Sequence, residues 1–430
     1  MFKERKIYIV PFLGFMAIII AGWILLMMPI NNNGNISISD AFFTSVSATC
    51  VNGLSTVDIS QDYTFLGQVV IAIITEIGAI GFVTFISYIL NIKKRKMTLS
   101  ETLLLSNALN DNNYSKLRYR LKKVIKYTFI IELIGSLFLA MYFIPEYGIK
   151  QGIWYSIFHS ITAFCNAGFD LFGTSGFKIF ANNIYINIVI ICLMILGAIG
   201  YFVIEDIISC IRKKSFIKIE YHTKIVLVTS LIIYIISAIL IKILEPNLSI
   251  LQVLFTSATV RTTGFSTIDM ASTNTLTKLL LSLLMLIGGG PGSTSGGIRI
   301  TSIAILVLTV SATLRNKKDV VAFYRKIDIQ TIKQAITNIF ISCLIVMISI
   351  IIFVELQNIG VEKILFMCIS AFSATGLSIV DVESLQLGVK ILLMILMFIG
   401  RVGPISILSI FILKRKENKN IDYVTGNIML

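Results

Sequence analysis

Long apolar segments alternate with short polar ones along almost the whole chain. A membrane-spanning helix needs about 20 apolar residues, and eight segments approach or exceed that length: Ile7 to Met28, Phe65 to Ile92, Val124 to Phe143, Tyr185 to Ile211, Ile225 to Leu244, a glycine-broken stretch from Leu276 to Leu308, Ala335 to Val354, and Gly388 to Leu413. The first segment has no small-residue cleavage site and is kept as a helix. The pattern predicts an all-α integral membrane protein with eight spans.

Composition supports the same class. Of the 430 residues, 56% are hydrophobic and 14% are charged, whereas a soluble protein is roughly half apolar and a quarter charged. An even number of spans puts both termini on one side, and most of the 37 Lys and Arg residues flank that side. The positive-inside rule therefore predicts a multi-pass plasma-membrane protein with both termini in the cytoplasm. Topology accounts for the net charge of +14, so no nucleic-acid partner is expected.

The four connections on the opposite side share one pattern. Each contains about ten residues typical of a short helix, followed by a glycine among small and hydroxyl-bearing residues. The residues at and before these glycines are Thr49, Cys50, Val51, Asn52 and Gly53; Phe164, Cys165, Asn166, Ala167 and Gly168; Val260, Arg261, Thr262, Thr263 and Gly264; and Phe372, Ser373, Ala374, Thr375 and Gly376. A large apolar residue stands ten positions before each glycine, and Leu or Phe follows it. Four equivalent windows indicate a fourfold internal repeat.

A second mark follows each window. The next apolar segment contains Gly-x-x-Gly, a spacing that permits close helix packing in membranes; the pairs are Gly78 and Gly81, Gly197 and Gly200, Gly289 and Gly292, and Gly400 and Gly403. Each unit is predicted to be a helix, a re-entrant pore loop and a second helix, with four units around a central pore as in potassium channels. The predicted repeats are residues 1–123, 124–224, 225–334 with a broken second helix, and 335–430 with a C-terminal tail.

The pore loops point to ion conduction. Irregular backbone is tolerated in a membrane only where it is buried in protein or lines a watery passage. A ring of backbone carbonyls replaces the hydration shell of potassium in a selectivity filter, and no acidic residue occupies the glycine positions. No nucleophile-base pair, phosphate-binding loop or metal-ligand spacing is visible, so an enzyme is not expected. The six cysteines lack the spacing of a disulfide framework or a zinc site.

The windows resemble the four degenerate filter loops of the Trk/Ktr/HKT superfamily of potassium transporters, and the similarity covers nearly the whole chain. Only one helix precedes the first loop, as in the membrane subunit of Ktr systems. The resemblance implies potassium at the filter carbonyls as the transported ion, no cofactor in this chain, and sodium as a candidate activator. It also implies a homodimer in membrane lipid, resting on a cytosolic, KtrA-like ring of RCK-type nucleotide-binding subunits.

The sixth apolar segment contains six glycines and one proline in ten residues: Gly288, Gly289, Gly290, Pro291, Gly292, Ser293, Thr294, Ser295, Gly296 and Gly297. Helical structure should fail there. The run resembles the intramembrane gating loop of the superfamily, and a simple kink is the alternative, although a kink needs only one such residue.

Several charged residues have two interpretations. Arg401 resembles the superfamily's arginine beneath the filter, where its charge would raise the barrier for a cation; alternatively it pairs with Glu76 or Glu205 for packing. Arg261 lies in the third filter window but is expected to point behind the loop, since a cation on the axis would repel potassium. Asp170 draws cations to the outer mouth or makes a local loop hydrogen bond. Both histidines, His159 and His222, are expected to be structural.

The basic segments Lys93 to Lys123 and Arg315 to Lys333 are the largest polar segments on the predicted cytoplasmic side. They are the predicted docking surface for the nucleotide-binding ring, or they serve topology alone. Two other functions compete with potassium uptake. A secondary transporter of another cation or an organic solute could be built from repeats with broken helices, and a structural scaffold is the third class.

Overall fold

The computed structural model describes residues 2–34, 36–81, 117–215 and 219–411. In this part of the chain nearly all regular structure is helical. The exception is a two-stranded antiparallel hairpin of β1, Val321–Ala322, and β2, Arg325–Lys326. The predicted all-α class is confirmed.

The helices follow the predicted order of outer helix, pore helix and inner helix. The first repeat contains α1 Phe2–Met27, α2 Ile38–Cys50, α3 Ile59–Asp62 and α4 Phe65–Ile80. The second contains α5 Leu117–Phe164, a 3-10 segment Gly173–Phe180, α6 Ile184–Ile199 and α7 Tyr201–Arg212. The third contains α8 Tyr221–Leu244, α9 Ile250–Thr259, a 3-10 turn Met270–Ser272, α10 Thr275–Met285 and α11 Ile300–Leu314. The fourth contains α12 Ile329–Leu356, α13 Val361–Ser373, α14 Leu387–Val402 and α15 Pro404–Phe411.

The outer helices are long and apolar enough to cross a membrane. Within the described residues the candidate spans are Ile9–Met27, Lys122–Phe164, Tyr221–Leu244 and Ile329–Leu356, with Gly173–Phe180 and Ile184–Ile199 as one bent pair. Large apolar side chains on these helices face outward, among them Leu133, Leu231 and Ile351, each at least 60% exposed. Lipid is the natural solvent for such a surface. The helices support the multi-pass prediction, whereas the count of eight spans and the repeat boundaries stay predictions.

Three of the four inner segments are interrupted at the second glycine of their Gly-x-x-Gly pair. Helix α4 ends at Gly81 (φ 88°), α6 and α7 are separated by Gly200 (φ 96°), and α14 and α15 are separated by Gly403 (φ 95°). The sequence interpretation, which treated three of these segments as continuous helices and only the sixth as broken, is therefore wrong. The pattern was assigned to packing, but in these three pairs the second glycine ends the helix, although Gly200 also lies close to the Pro291 carbonyl oxygen.

The pore helices have clear start and stop signals. Ser37 caps α2 by accepting a hydrogen bond from the Asp40 amide, and Ser249 and Gln252 form a capping box on α9. Pore helix α2 packs between α1 and α4, and α13 packs between α12 and α14. In the second repeat α5 contains both the outer helix and the pore helix, divided at Gly148 (φ 78°). The pore helices are thus enclosed by protein and end at the centre of the bundle.

Candidate functional site

The four window glycines form a closed ring in chain order. A Cβ added to Gly53 would overlap the Ala167 carbonyl oxygen beside Gly168, and one on Gly168 would overlap the Thr263 carbonyl beside Gly264. The same relation joins the third loop to the fourth, through the Thr375 carbonyl, and the fourth to the first, through the Asn52 carbonyl. The structure therefore brings the four predicted windows together around one axis, with backbone against backbone and no room for side chains.

The four loops share a backbone conformation as well as a sequence pattern. All four ring glycines have positive φ, between 68° and 96°, a region that glycine enters without steric cost. The residue two positions earlier is also left-handed in every loop: Val51, Asn166, Thr262 and Ala374. This repeated conformation turns the chain sharply at the end of each pore helix, so that the glycine and its neighbouring carbonyls reach the axis.

The third loop departs from the other three. Its pore helix ends at Thr259, five residues before Gly264, whereas α2 and α13 end three residues before their glycines. The predicted large apolar residue, Leu254, is 36% exposed, and the neighbouring Phe255 is buried instead. The third loop still reaches the ring, because Thr262 and Gly264 keep the left-handed conformations found at the same positions of the other three loops.

Side chains of the loops point away from the ring and tie it to the surrounding helices. Phe164 and Phe372 are fully buried in the apolar core. The Asn52 amide donates to the carbonyls of Ser370 and Ala371 at 3.2 and 3.1 Å. The Asn166 amide lies 2.8 Å from the Thr263 hydroxyl. Each of these asparagines joins its loop to an adjacent repeat, so the ring is held as one unit.

The pore helices aim the negative ends of their dipoles at this ring. Helices α2, α5, α9 and α13 all end within five residues of a ring glycine. The C-terminus of a helix carries a partial charge of roughly −0.5 from its unpaired carbonyls. Four such ends around one axis attract a cation and repel an anion, without any carboxylate in the ring.

In three repeats the first glycine of the Gly-x-x-Gly pair lets the inner helix approach its pore helix closely. A Cβ on Gly78, Gly197 or Gly400 would overlap a carbonyl oxygen at the C-terminal end of the adjacent pore helix. In the third repeat this contact is absent from the neighbours recorded for Gly289, which instead faces the Ala198 carbonyl and Ser295. The difference arises because the third inner helix is replaced here by the glycine-rich run.

The run from Gly288 to Gly297 forms an irregular loop between α10 and α11. The Gly290 amide donates to the Ala198 carbonyl at 2.8 Å, and the Tyr201 amide donates to the Gly292 carbonyl at 3.0 Å. The loop is therefore hydrogen-bonded to the break between α6 and α7. A kink in a continuous helix does not describe ten residues that leave the helix and pair with another repeat.

The loop also touches the inner face of the filter loops. The Thr294 hydroxyl lies 2.8 Å from the Asn166 amide and 3.3 Å from the Phe164 carbonyl. At the loop's other end, a Cβ on Gly296 would meet Ala374 at 2.7 Å. The run therefore lies against the second and fourth window loops.

Arg401 fastens this loop to the first repeat. Its guanidinium donates to the Thr294 carbonyl and, through Nη2, to the carbonyls of Gly78 and Ala79 at 2.6 and 2.9 Å. These carbonyls are available because α4 ends just beyond them. Pairing with Glu76 or Glu205, the alternative that the sequence offered, is not what the structure shows; Glu205 accepts from Lys123 at 2.7 Å.

The remaining singled-out residues lie outside the ring. Arg261 points behind its loop, with its guanidinium 3.4 to 3.5 Å from Ser230 on α8. His159 is buried and bridges the Tyr155 carbonyl (2.7 Å) and the Leu171 amide (3.2 Å), a structural role. Asp170 accepts a hydrogen bond from the Phe172 amide at 3.0 Å.

Asp170 also has an unusual electrostatic environment at the outer end of the second filter loop. Burial raises its pKa to about 7; the Phe172 N–H opposes this shift, and the nearby Asp58 carboxylate adds to it. Asp170 can therefore both accept the loop hydrogen bond and attract cations. Its carboxyl carries the full negative charge that attracts them only above that pH.

Sequence reasoning missed two features of the site. The helix break at Gly200, which supplies the Ala198 carbonyl to the loop, looked like part of a continuous apolar segment. The side-chain contacts of Asn166 with Thr263 and Thr294 were also missed, because only the backbone of this residue was expected to contribute to the site. The recurring second glycine was the signal that could have revealed the breaks.

Comparison with known proteins supports the same interpretation. The family model for TrkH, described as a cation transport protein, matches residues 15–423. The chain is 35% identical to the Ktr system potassium uptake protein B of Bacillus subtilis, over 97% of this chain and 95% of that protein. It is 34% identical to the potassium/sodium uptake protein NtpJ of Enterococcus hirae, with the same coverage.

A solved structure shares the fold. The crystal structure of the potassium transporter TrkH from Vibrio parahaemolyticus matches with a TM-score of 0.76, covering 95% of this chain and 85% of that one at 16% identity. The family resemblance drawn from the windows is confirmed, and so is the expectation that the chain is a transporter and not an enzyme. The chain belongs to the TrkH family of cation transport proteins.

Proposed function

We propose that this chain conducts potassium ions into the cell through the ring formed by Gly53, Gly168, Gly264 and Gly376. The observation that carries the proposal is the closed backbone ring at the C-terminal ends of four pore helices. Carbonyl oxygens at the ring can replace water around a monovalent cation. The relatives' names, potassium uptake and potassium/sodium uptake, give the same ion class. Sodium is retained as a candidate activator.

The loop Gly288–Gly297 is the proposed gate. It lies under the second and fourth filter loops and is anchored by Arg401, whose positive charge adds an electrostatic barrier on the same side. A buried loop with hydrogen bonds to both the second and the fourth repeat has a defined closed position. Opening requires those bonds to break together, which suits an element controlled from outside the membrane.

The proposed controller is a cytosolic ring of RCK-type nucleotide-binding subunits beneath a homodimer of this chain. The described part of the predicted docking surface is the hairpin region after α11. Lys317 and Lys318 are exposed, and Phe323 and Tyr324 at the turn are 46% and 104% exposed. Exposed basic and aromatic side chains together suit a partner with an acidic rim. Most of the other segment, Lys93 to Lys123, lies outside the described residues.

Ion flux through reconstituted protein tests the filter. Gly264→Ser adds a side chain against the Thr375 carbonyl at φ 94°; we expect lower potassium and rubidium flux and a smaller preference over sodium. Gly360→Ser is the matched control, because Gly360 has φ 98° but open space around its Cα. It imposes the same backbone strain without touching the ring. Unchanged flux and selectivity in Gly264→Ser would refute the filter assignment.

The same assay separates the competing function. An organic-solute transporter that uses a cation gradient should show little rubidium uptake without its solute. Rubidium uptake driven by voltage alone, measured with and without sodium, supports conduction by the ring and reports sodium activation directly.

A further inference from the structure

Three potential metal ligands meet behind the second filter loop. Glu76 lies on α4, Glu132 on α5 and Cys165 in the loop, three residues before Gly168. Cys165 Sγ is 3.1 Å from Glu76 Oε2 and 3.7 Å from Glu132 Oε1. One ligand atom from each residue lies within 4.8 Å of the other two. This group could not be predicted from the sequence, because its members come from three segments with no metal-ligand spacing.

Two carboxylates this close in a membrane protein need a positive charge or protons. Among the ion pairs of the described residues, none involves Glu76 or Glu132. The Arg401 guanidinium donates its hydrogen bonds to backbone carbonyls. Carboxylates inside a bilayer are rare and mark sites of ion or proton binding.

Unpartnered polar atoms point to a further ligand at the same place. Tyr201 is 6% exposed and Thr128, one turn before Glu132 on α5, is fully buried. The two hydroxyls are close enough to interact with each other, and neither has another hydrogen-bond partner among the described residues. The Tyr201 hydroxyl lies within electrostatic range of Cys165 and of both carboxylates. Glu76 Oε1 is also buried without a partner among the described residues.

The distances suit a tetrahedral divalent ion of borderline softness. Zinc binds thiolate sulfur at ~2.3 Å and carboxylate oxygen at ~2.0 Å, so sulfur and oxygen ligands of one ion stand about 3.5 Å apart. The two observed sulfur-oxygen distances, 3.1 and 3.7 Å, bracket this value. A thiolate favours zinc or cadmium over calcium and magnesium. The three ionised ligands would leave a charge of −1 around a divalent ion, and Arg401 lies within electrostatic range of Cys165 to balance it.

We propose that Glu76, Glu132 and Cys165 bind one zinc or cadmium ion, with the Tyr201 hydroxyl or water in the fourth position. Binding releases the thiol proton, and any proton held by the carboxyls, to solvent. The bound ion joins α4 and α5 to the second filter loop and fixes that loop. Because the bound ion fixes the loop, it should inhibit potassium uptake. This inhibition rests on the proposed function, whereas the binding of the ion does not.

Cadmium binding can be measured without transport. The purified chain with Cys192→Ser and Cys343→Ser, which removes two exposed cysteines, is titrated with cadmium while the ultraviolet thiolate-to-cadmium charge-transfer absorption is recorded. We expect saturation at one ion per chain and loss of that signal in Cys165→Ser. Cys50→Ser is the matched control: it is the equivalent, equally buried position in the first loop, and no carboxylate is recorded beside it. Its signal should persist.

Glu132→Gln keeps the shape of the site and should weaken cadmium binding at least about tenfold, as loss of a metal partner typically does. If Cys165→Ser fails to fold, Glu132→Gln still tests the site. Equal signals from Cys165→Ser and its parent, or equal affinity in Glu132→Gln and its parent, would overturn the site. Rubidium flux in the same preparations is the second readout. Cadmium that binds at Cys165 without slowing a flux that is otherwise intact refutes the fixation of the loop; absence of flux without cadmium refutes the proposed function instead.

Discussion

Arg401→Ala tests how the loop Gly288–Gly297 is held closed. Of the three hydrogen bonds made by Arg401, those to Gly78 and Ala79 position the guanidinium, and only the one to the Thr294 carbonyl anchors the loop. A hydrogen bond from a charged donor contributes about 1.5–3 kcal/mol. The cost of burying the guanidinium is common to the closed and open loop, so it cancels from their difference.

That free energy sets the expected change in flux. Since about 1.4 kcal/mol is a factor of ten, removing the anchor shifts the open population by roughly 10- to 100-fold. Basal rubidium uptake into proteoliposomes, without any cytosolic partner, should rise by up to that factor until the loop is fully released. The matched control is Lys390→Ala: it removes a cation from the same helix, but one paired with Asp40 away from the loop. Its uptake should stay at the parent level.

Arg401→Lys separates the anchor from the charge. A lysine keeps the positive charge but cannot span the α4 carbonyls and the loop at once, because it lacks the planar fork of arginine. If the anchor dominates, the lysine variant conducts as freely as the alanine variant; if the electrostatic barrier dominates, it stays as closed as the parent. Uptake by Arg401→Ala at or below the parent level, with normal insertion, would contradict both mechanisms.

Three further outcomes are expected. Deleting Pro291–Ser295 should raise basal conductance, because it removes the part of the loop beneath the filter, and single-channel or flux recordings check this. Reversing the charges of Lys317, Lys318 and Arg325 should weaken copurification with a nucleotide-binding ring and abolish nucleotide-dependent flux, without altering selectivity. Uptake from subsaturating potassium should increase as external pH rises through about 7, where Asp170 ionises, and Asp170→Asn should remove the increase.

Each of these expectations has its own control. The deletion must insert normally, and flux no higher than the parent's would mean that the loop is not a gate. Nucleotide control that survives the charge reversal, or that occurs in the purified chain alone, excludes the docking surface. Asp58→Asn removes one of the two influences that raise the Asp170 pKa, so it should move the pH profile toward acid; an unchanged profile in both variants would exclude Asp170 as its source.

The ring was accessible from sequence because its signal is local and occurs four times. Each window carries its own pore helix, turn and glycine, so one ambiguous motif is tested by three others. The long-range contacts were not accessible. The sequence suggested Glu76 or Glu205 as the partner of Arg401, yet two of its three partners are carbonyls that become free only where α4 ends at Gly81. The group of Glu76, Glu132 and Cys165 could not be predicted for the same reason, since its contacts join segments that are far apart in the sequence.

The departures of the third repeat occur together and have one physical consequence. Its pore helix ends five residues before its ring glycine, its expected apolar residue Leu254 is partly exposed, and its inner helix is replaced by the run Gly288–Gly297. In the other repeats the inner helix packs a glycine against the pore helix. Replacing that helix by glycines frees a segment that can sit under the ring and still be displaced. Local rules fail where function requires movement, so the asymmetry of one repeat among four supports the proposal that this run is the gate.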